Sequence, residues 1–236
     1  MLYVGSCRHM SEYKWNFFPG RLHTTREIIF FIENIDKVKS IIDSNPGDLT
    51  NLIFGDIYHP DIKEDSEKII QSLSLCDKKE IKKLILEISS RSLYYYDKVP
   101  LNAFYTKKYI TEQDNYHLKL VQLSDLEIEN DIKHILELSK RVFNNDVEIH
   151  IIPHLNVKSS RLNNYIPKRQ ELVRLLELIC IKFSIKFHDI GKFLETFHNP
   201  DDEILELYMN DSTHFSYGYT LVKSFLVDRI YPDLLN

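Results

Sequence analysis

Short runs of aliphatic and β-branched residues alternate with longer stretches of helical periodicity, and that alternation limits the fold more than any other feature of the chain. The runs are Leu2-Tyr3-Val4, Leu52-Ile53-Phe54, Leu84 to Ile88, Val147 to Ile152, and Ile185 to His188. Helical patterns lie at about 24–43, 125–143, 167–183 and 216–229. In the first, Ile28, Ile29, Ile32, Ile35, Val38 and Ile42 fall mainly three and four apart, as on one helix face. Thr24 or Thr25 is the N-cap candidate, Glu27 sits in the first turn, and Asn45-Pro46-Gly47 ends the segment. Pro167 suits the first position of the third helix. Strands alternating with helices of this length build βαβ units, hence a mostly parallel sheet. Right-handed crossovers place helices on both faces. The expectation is an α/β fold, a three-layer α/β/α sandwich around a mostly parallel five-stranded sheet. At 236 residues the chain fits a single domain over 1–236. Residues 92–125 read as an irregular insertion or lid.

Composition excludes several function classes. Lys plus Arg is 30 and Asp plus Glu is 35, a net charge of −5. Nucleic-acid binding is not expected, because displacing counterions from phosphates takes a basic surface. No apolar run reaches the ~20 residues that span a bilayer, so a membrane partner is not expected either. The opening residues carry no basic segment followed by a long apolar one, so no secretory signal is expected. Cys7, Cys76 and Cys180 are widely spaced without a CxxC, which suits a reducing cytoplasm and neither a disulfide scaffold nor a zinc ribbon.

In parallel α/β sheets ligands bind beyond the carboxyl ends of the strands. That rule selects Gly5-Ser6-Cys7-Arg8, Gly55-Asp56, Ser89-Ser90-Arg91, Pro153 to Asn156, and Asp189. Ser6 follows the first strand directly. A serine hydroxyl becomes a nucleophile when a histidine, itself oriented by a carboxylate, takes its proton. Asp211-Ser212-Thr213-His214 offers that pair, three residues apart, just before the last helix. One turn can carry the Asp211 carboxylate to the His214 Nδ1–H, leaving the other ring nitrogen for a serine. Cys7 is a rival nucleophile beside Ser6.

These residues resemble the SGNH (GDSL-like) hydrolase superfamily. Val4-Gly5-Ser6-Cys7 after an N-terminal strand is similar to its GSCFA and capsule-biosynthesis-like branches, and Asp211 to Tyr219 resembles the family's last block. The resemblance implies an SGNH-hydrolase-like (flavodoxin-like) fold and a Ser6–His214–Asp211 triad. It also implies an oxyanion hole from the Ser6 and Gly55 backbone amides. The family's third block supplies an Asn after the third strand. Here that strand exits as Ser89-Ser90-Arg91. Ser90 is the substitute donor we assign, with Arg91 and Asn102 as further options. The implied activity is a serine esterase or acyltransferase acting on an acyl ester, foremost an acetyl ester, of a carbohydrate. No cofactor and no metal are expected.

Arg8, Arg21 and Arg91 follow strand ends and are candidate substrate-binding residues, because guanidinium groups pair with phosphate and carboxylate in a fork. They fit an anionic small-molecule or carbohydrate ester, or an acyl-CoA donor. Two alternatives stand beside this reading. One is a non-catalytic glycan- or nucleotide-binding protein on the same fold. The other is an HD-type metal-dependent phosphohydrolase, because His188-Asp189-Ile190-Gly191-Lys192 is similar to the central motif of that all-helical family. The apolar–polar alternation of residues 183–187 reads instead as a strand.

Overall fold

The computed structural model describes residues 2–5, 16–45, 49, 52–53, 77–110, 116–157, 165–196 and 229. Contacts divide the chain into two compact units, residues 1–149 and 150–236. The fold is α/β, with parallel strand pairing in both units and a small antiparallel sheet in the first.

Unit 1 is built on a parallel set. β1 (Leu2–Gly5) lies between β2 (Asn16–Arg21) and β3 (Lys83–Ile88), pairing with both in parallel. Every residue of β1 is buried, as is every residue of β3 after Lys83. Continuous burial is what a strand covered on both faces requires, and it explains why the runs 2–4 and 84–88 are apolar, Glu87 apart, rather than alternating. One member differs from the expected set. The place beside β1 belongs to residues 16–21, and the run at 52–54 does not supply it. Within that run Ile53 makes an isolated antiparallel bridge to Leu101, and Phe54 lies outside the described residues.

The first helical stretch is two helices, α1 (Thr25–Glu33) and α2 (Val38–Asp43), with Asn34 as the C-cap of α1. Thr24 is the N-cap of α1 and forms a capping box with Glu27. Ile28, Phe31 and Ile32 form the buried stripe of α1. It packs against α4 (Asp125–Val142), whose own stripe is Ile128, Ile132, Ile135 and Leu138. A second capping box, Ser124 with Glu127, starts α4. Across this interface Asp131, 5% exposed, accepts from the Thr25 hydroxyl and from Arg26 Nε, both at 2.7 Å.

The described parts of residues 92–125, namely 92–110 and 116–125, are largely regular. They hold β4 (Ser92–Tyr96), β5 (Val99–Asn102), α3 (Ala103–Tyr109) and β6 (Leu118–Gln122), with the strands in the antiparallel order β5-β4-β6. Tyr96 pairs with Val99, so Asp97-Lys98 is a two-residue turn, and Asp97 takes φ 51°.

In unit 2, β7 (Glu148–Pro153, which begins in unit 1) pairs in parallel with β8 (Lys186–Phe187) through His150↔Lys186 and Ile151↔Phe187. Between them runs α5 (Pro167–Phe183), with Pro at its first position and Ser184 closing it at φ 56°. α6 (Ile190–Glu195) follows, N-capped by Asp189. Strand β8 leading into His188 agrees with the alternation read at 183–187 and departs from an all-helical arrangement. The helix expected at 216–229 lies outside the described residues, apart from Arg229. Among the described residues no helix is long and apolar enough to cross a membrane.

Candidate functional site

The chain leaves β1, pairs β2 on one side, and later returns as β3 on the other. The strand order therefore reverses at β1, and the carboxyl ends of β1 and β3 flank a topological switch point, the usual ligand position in parallel α/β sheets. Gly5 ends β1 there. A Cβ at Gly5 would lie 2.5 Å from Glu87 Cβ and 2.7 Å from the Tyr3 hydroxyl oxygen, so only glycine fits without displacing neighbours. The Tyr3 hydroxyl donates to Glu87 Oε2 at 2.7 Å, and both residues are 1% exposed. A buried carboxylate costs stability unless it is hydrogen-bonded. Glu87 meets that condition with the tyrosine beside the last glycine of β1.

The rim is stitched together by backbone. Ser89 and Ser90, leaving β3, both donate their N–H groups to the His23 carbonyl at 3.0 Å. His23 and Thr24 lead into α1, where Glu27 is fully buried. Its Oε2 accepts from the Thr24 N–H (2.9 Å), the Thr24 hydroxyl (2.7 Å) and the His23 N–H (3.3 Å). Burial pushes the Glu27 carboxyl up to about 7, against the opposing pull of the bonds from Thr24, His23 and the Asn102 side chain.

The sequence candidates divide as follows. Ser6, Arg8, Gly55, Asp211 and His214 lie outside the described residues. Arg21 is the last residue of β2, and its backbone is in register with Gly5. The Ser90 hydroxyl is taken up by its own turn, accepting from the Ser92 N–H at 3.0 Å and donating to the Ser92 carbonyl at 3.2 Å. Arg91 forms an ion pair with Asp125 at the start of α4. Asn102 is 1% exposed, accepts from the Phe104 N–H at 3.0 Å, and turns toward Glu27. Ser89 differs from these three: its hydroxyl is buried and has no hydrogen-bond partner among the described residues.

Tyr3 and Glu87 did not stand out as site residues in the sequence. The signal was present: Glu87 is the one charge inside the run Leu84 to Ile88, and a charge in a strand buried on both faces needs a partner.

In unit 2, His188 and Asp189 take separate tasks. Asp189 Oδ1 accepts the Lys192 N–H at 3.0 Å, capping α6. His188 Nε2 lies 2.8 Å from His150 Nδ1. The two ring planes are 8° apart with centroids at 5.0 Å. Face-stacked rings cannot bring two atoms to 2.8 Å, so the imidazoles lie edge to edge in nearly one plane, one nitrogen donating and the other accepting. The loop after β7 is pinned by Asn156, which donates to Gln170 Oε1 at 2.7 Å and accepts from the Ile166 N–H at 3.2 Å. A Cβ on Gly191 would lie 2.6 Å from the Asn156 carbonyl oxygen, so α6 seats against this loop through a glycine.

No family model matches the chain, and no curated protein matches it.

Proposed function

We propose that the chain is an SGNH-like serine esterase or acyltransferase acting on a small-molecule or carbohydrate acyl ester, on a three-layer α/β/α fold with a five-stranded, mostly parallel sheet. The observation that carries the reading is Gly5. It ends the strand at which the order of the parallel set reverses, at a point too tight for any side chain, and Ser6 is the next residue in the chain. A nucleophile placed directly after such a strand enters the crevice where ligands bind.

In the proposed reaction Ser6 Oγ attacks the ester carbonyl and passes its proton to His214, held by Asp211. The tetrahedral oxyanion takes hydrogen bonds from the Ser6 and Gly55 amides. Collapse expels the alcohol, which carries away the proton from His214, and leaves an acyl-serine. Water, or an acceptor hydroxyl, then attacks with His214 again as base. Ser89 suits the side-chain donor to the oxyanion better than Ser90, because the Ser90 hydroxyl is committed to its own turn and that of Ser89 is not. Loss of one such donor costs about 3–4 kcal/mol in the transition state, or ~10²–10³ in rate.

The test is a serine-reactive fluorophosphonate, with p-nitrophenyl acetate turnover measured in parallel. Labelling and turnover are expected in the native chain and lost in Ser6→Ala and His214→Ala. Ser89→Ala is expected to lower turnover while Ser90→Ala leaves it nearly unchanged. Folded protein that neither labels nor turns over refutes catalysis. One observation favours a non-catalytic binding protein in that event: Asn102 is occupied by Phe104 and Glu27, so the amide donor typical of the family's third block is not replaced from this source.

A further inference from the structure

The peptide unit between His23 and Thr24 is held at both of its edges. Its N–H, that of Thr24, donates to Glu27 Oε2 at 2.9 Å, and its C=O, that of His23, accepts the Ser89 and Ser90 N–H groups at 3.0 Å each. A peptide is planar, with its N–H and C=O fixed on opposite edges, so the two attachments cannot turn independently. Glu27 Oε2 takes two further bonds from the same pair of residues, 2.7 Å from the Thr24 hydroxyl and 3.3 Å from the His23 N–H. The carboxyl itself is a fixed point. Glu27 is 2% exposed and sits on α1, whose buried stripe of Ile28, Phe31 and Ile32 packs against α4.

At the far end of this series of bonds lies the exit of β3. Its register with β1 ends at Val4↔Leu86, ahead of Ser89. The Ser90 hydroxyl is committed to Ser92, whereas the Ser89 hydroxyl is buried and has no hydrogen-bond partner among the described residues. The place of the Ser89 hydroxyl is therefore set by its main chain, and that main chain is tied to the 23–24 peptide. A donor to an oxyanion works by being aimed in advance at the position the charge will take. Hydrogen bonds in series also polarise one another, so a carboxyl on the Thr24 N–H makes the His23 carbonyl a better acceptor for the two serine amides. We propose that Glu27 is a positioning residue for the reaction: through the 23–24 peptide it fixes where the exit of β3 places the Ser89 hydroxyl. The inference rests on the reading of Ser89 as the side-chain donor to the oxyanion.

Two substitutions separate the acceptor from the bulk of the side chain. The three bonds from residues 23 and 24 all go to Oε2, so Glu27→Gln can present its carbonyl oxygen there and keep them. Glu27→Met is close in size and offers no such acceptor. The full chain is labelled with 15N-serine, and the Ser89 and Ser90 amides are followed, with Ser184 in unit 2 reporting that the chain stays folded. Turnover of p-nitrophenyl acetate is measured on the same samples. In Glu27→Met the Ser89 and Ser90 amides are expected to shift and to exchange faster with water while Ser184 stays in place. kcat is expected to fall about ten-fold with KM nearly unchanged, less than the ~10²–10³ of a donor lost outright, because the hydroxyl is displaced and not removed. Glu27→Gln is expected to keep both the amide signals and kcat near the native values. In a Ser89→Ala background, Glu27→Met is expected to lower kcat by less than about two-fold, since the two changes act on one donor. Where Glu27→Met does not fold, Glu27→Asp takes its place: it keeps an acid in the first turn of α1 but is one methylene short of residues 23 and 24, and the same direction of change is expected. Unmoved Ser89 and Ser90 amides in the acceptor-free variant overturn the inference. So does a loss in Glu27→Gln equal to that in Glu27→Met, or a full ten-fold loss that persists in the Ser89→Ala background. A native chain without turnover sinks the esterase reading instead, and the serine amides then decide by themselves whether Glu27 holds the exit of β3.

Discussion

Glu27→Gln isolates the cost of a buried carboxyl that the fold keeps close to neutral. In the folded chain burial raises the Glu27 carboxyl from 4.5 to about 7. At ~1.4 kcal/mol per pH unit this difference amounts to about 3 kcal/mol. The direction follows from proton counting. Below pH 4.5 both states hold the proton and nothing is lost. Between 4.5 and 7 the unfolded chain releases it while the folded chain retains it, so rising pH favours unfolding. Above 7 both states are ionised and the loss is complete. Glutamine at the same helix position still completes the capping box with Thr24 and does not titrate. Urea unfolding of both proteins, followed by circular dichroism at half-unit steps from pH 4.5 to 7.5, measures the difference. The stability of Glu27→Gln relative to the native chain is expected to rise by about 3 kcal/mol across that window. With an m-value of ~3 kcal/mol/M this is a relative midpoint shift of about 1 M. A difference constant with pH refutes the reasoning. A difference of opposite slope does so more sharply, because the bonds from Thr24, His23 and Asn102 would then outweigh burial.

Two further predictions follow from steric and thiol chemistry. Gly5→Ala forces its new carbon into Glu87 and Tyr3, and is expected to cost about 1–3 kcal/mol by overpacking; an unchanged denaturation midpoint contradicts the close approach. Cys180 is 1% exposed and its thiol is pushed up to about 12, first by burial and then by Glu177. With Cys7 and Cys76 replaced by serine, iodoacetamide at pH 8 is expected to leave the folded protein unmodified and to alkylate it in urea; labelling of the folded chain at the rate of a free thiol contradicts this.

The parts legible in the sequence were those where one physical signal acted alone. Residues 125–142 and 167–183 carry strong helical periodicity with a cap or a proline at the start, and they form helices over nearly the expected bounds. The runs at 84–88 and 147–152 are long enough and apolar enough to be buried strands. The antiparallel sheet was hidden because its signals conflict. The Asp97-Lys98 turn lacks the glycine that marks most two-residue hairpins. Pro100 argues against a strand, yet β5 lies at the end of the order β5-β4-β6, where proline is tolerated. β2 was hidden for a similar reason: Pro19-Gly20 reads as a turn, and its strand character comes from parallel pairing with β1. For the site, the strand-end rule selected Gly5 and Ser89-Ser90, which end and follow the neighbouring strands β1 and β3; Arg21 ends β2, the strand whose signal was hidden. Which serine keeps an uncommitted hydroxyl was not legible, since it depends on the turn at 90–92.

The single carbonyl of His23 that receives both Ser89 and Ser90 has a consequence for how this protein can change. The link runs through main-chain atoms, so no side chain at 23, 89 or 90 is needed to maintain it. The exit of β3 can thus be relined with different chemistry, residue by residue, while the path of its main chain is inherited intact.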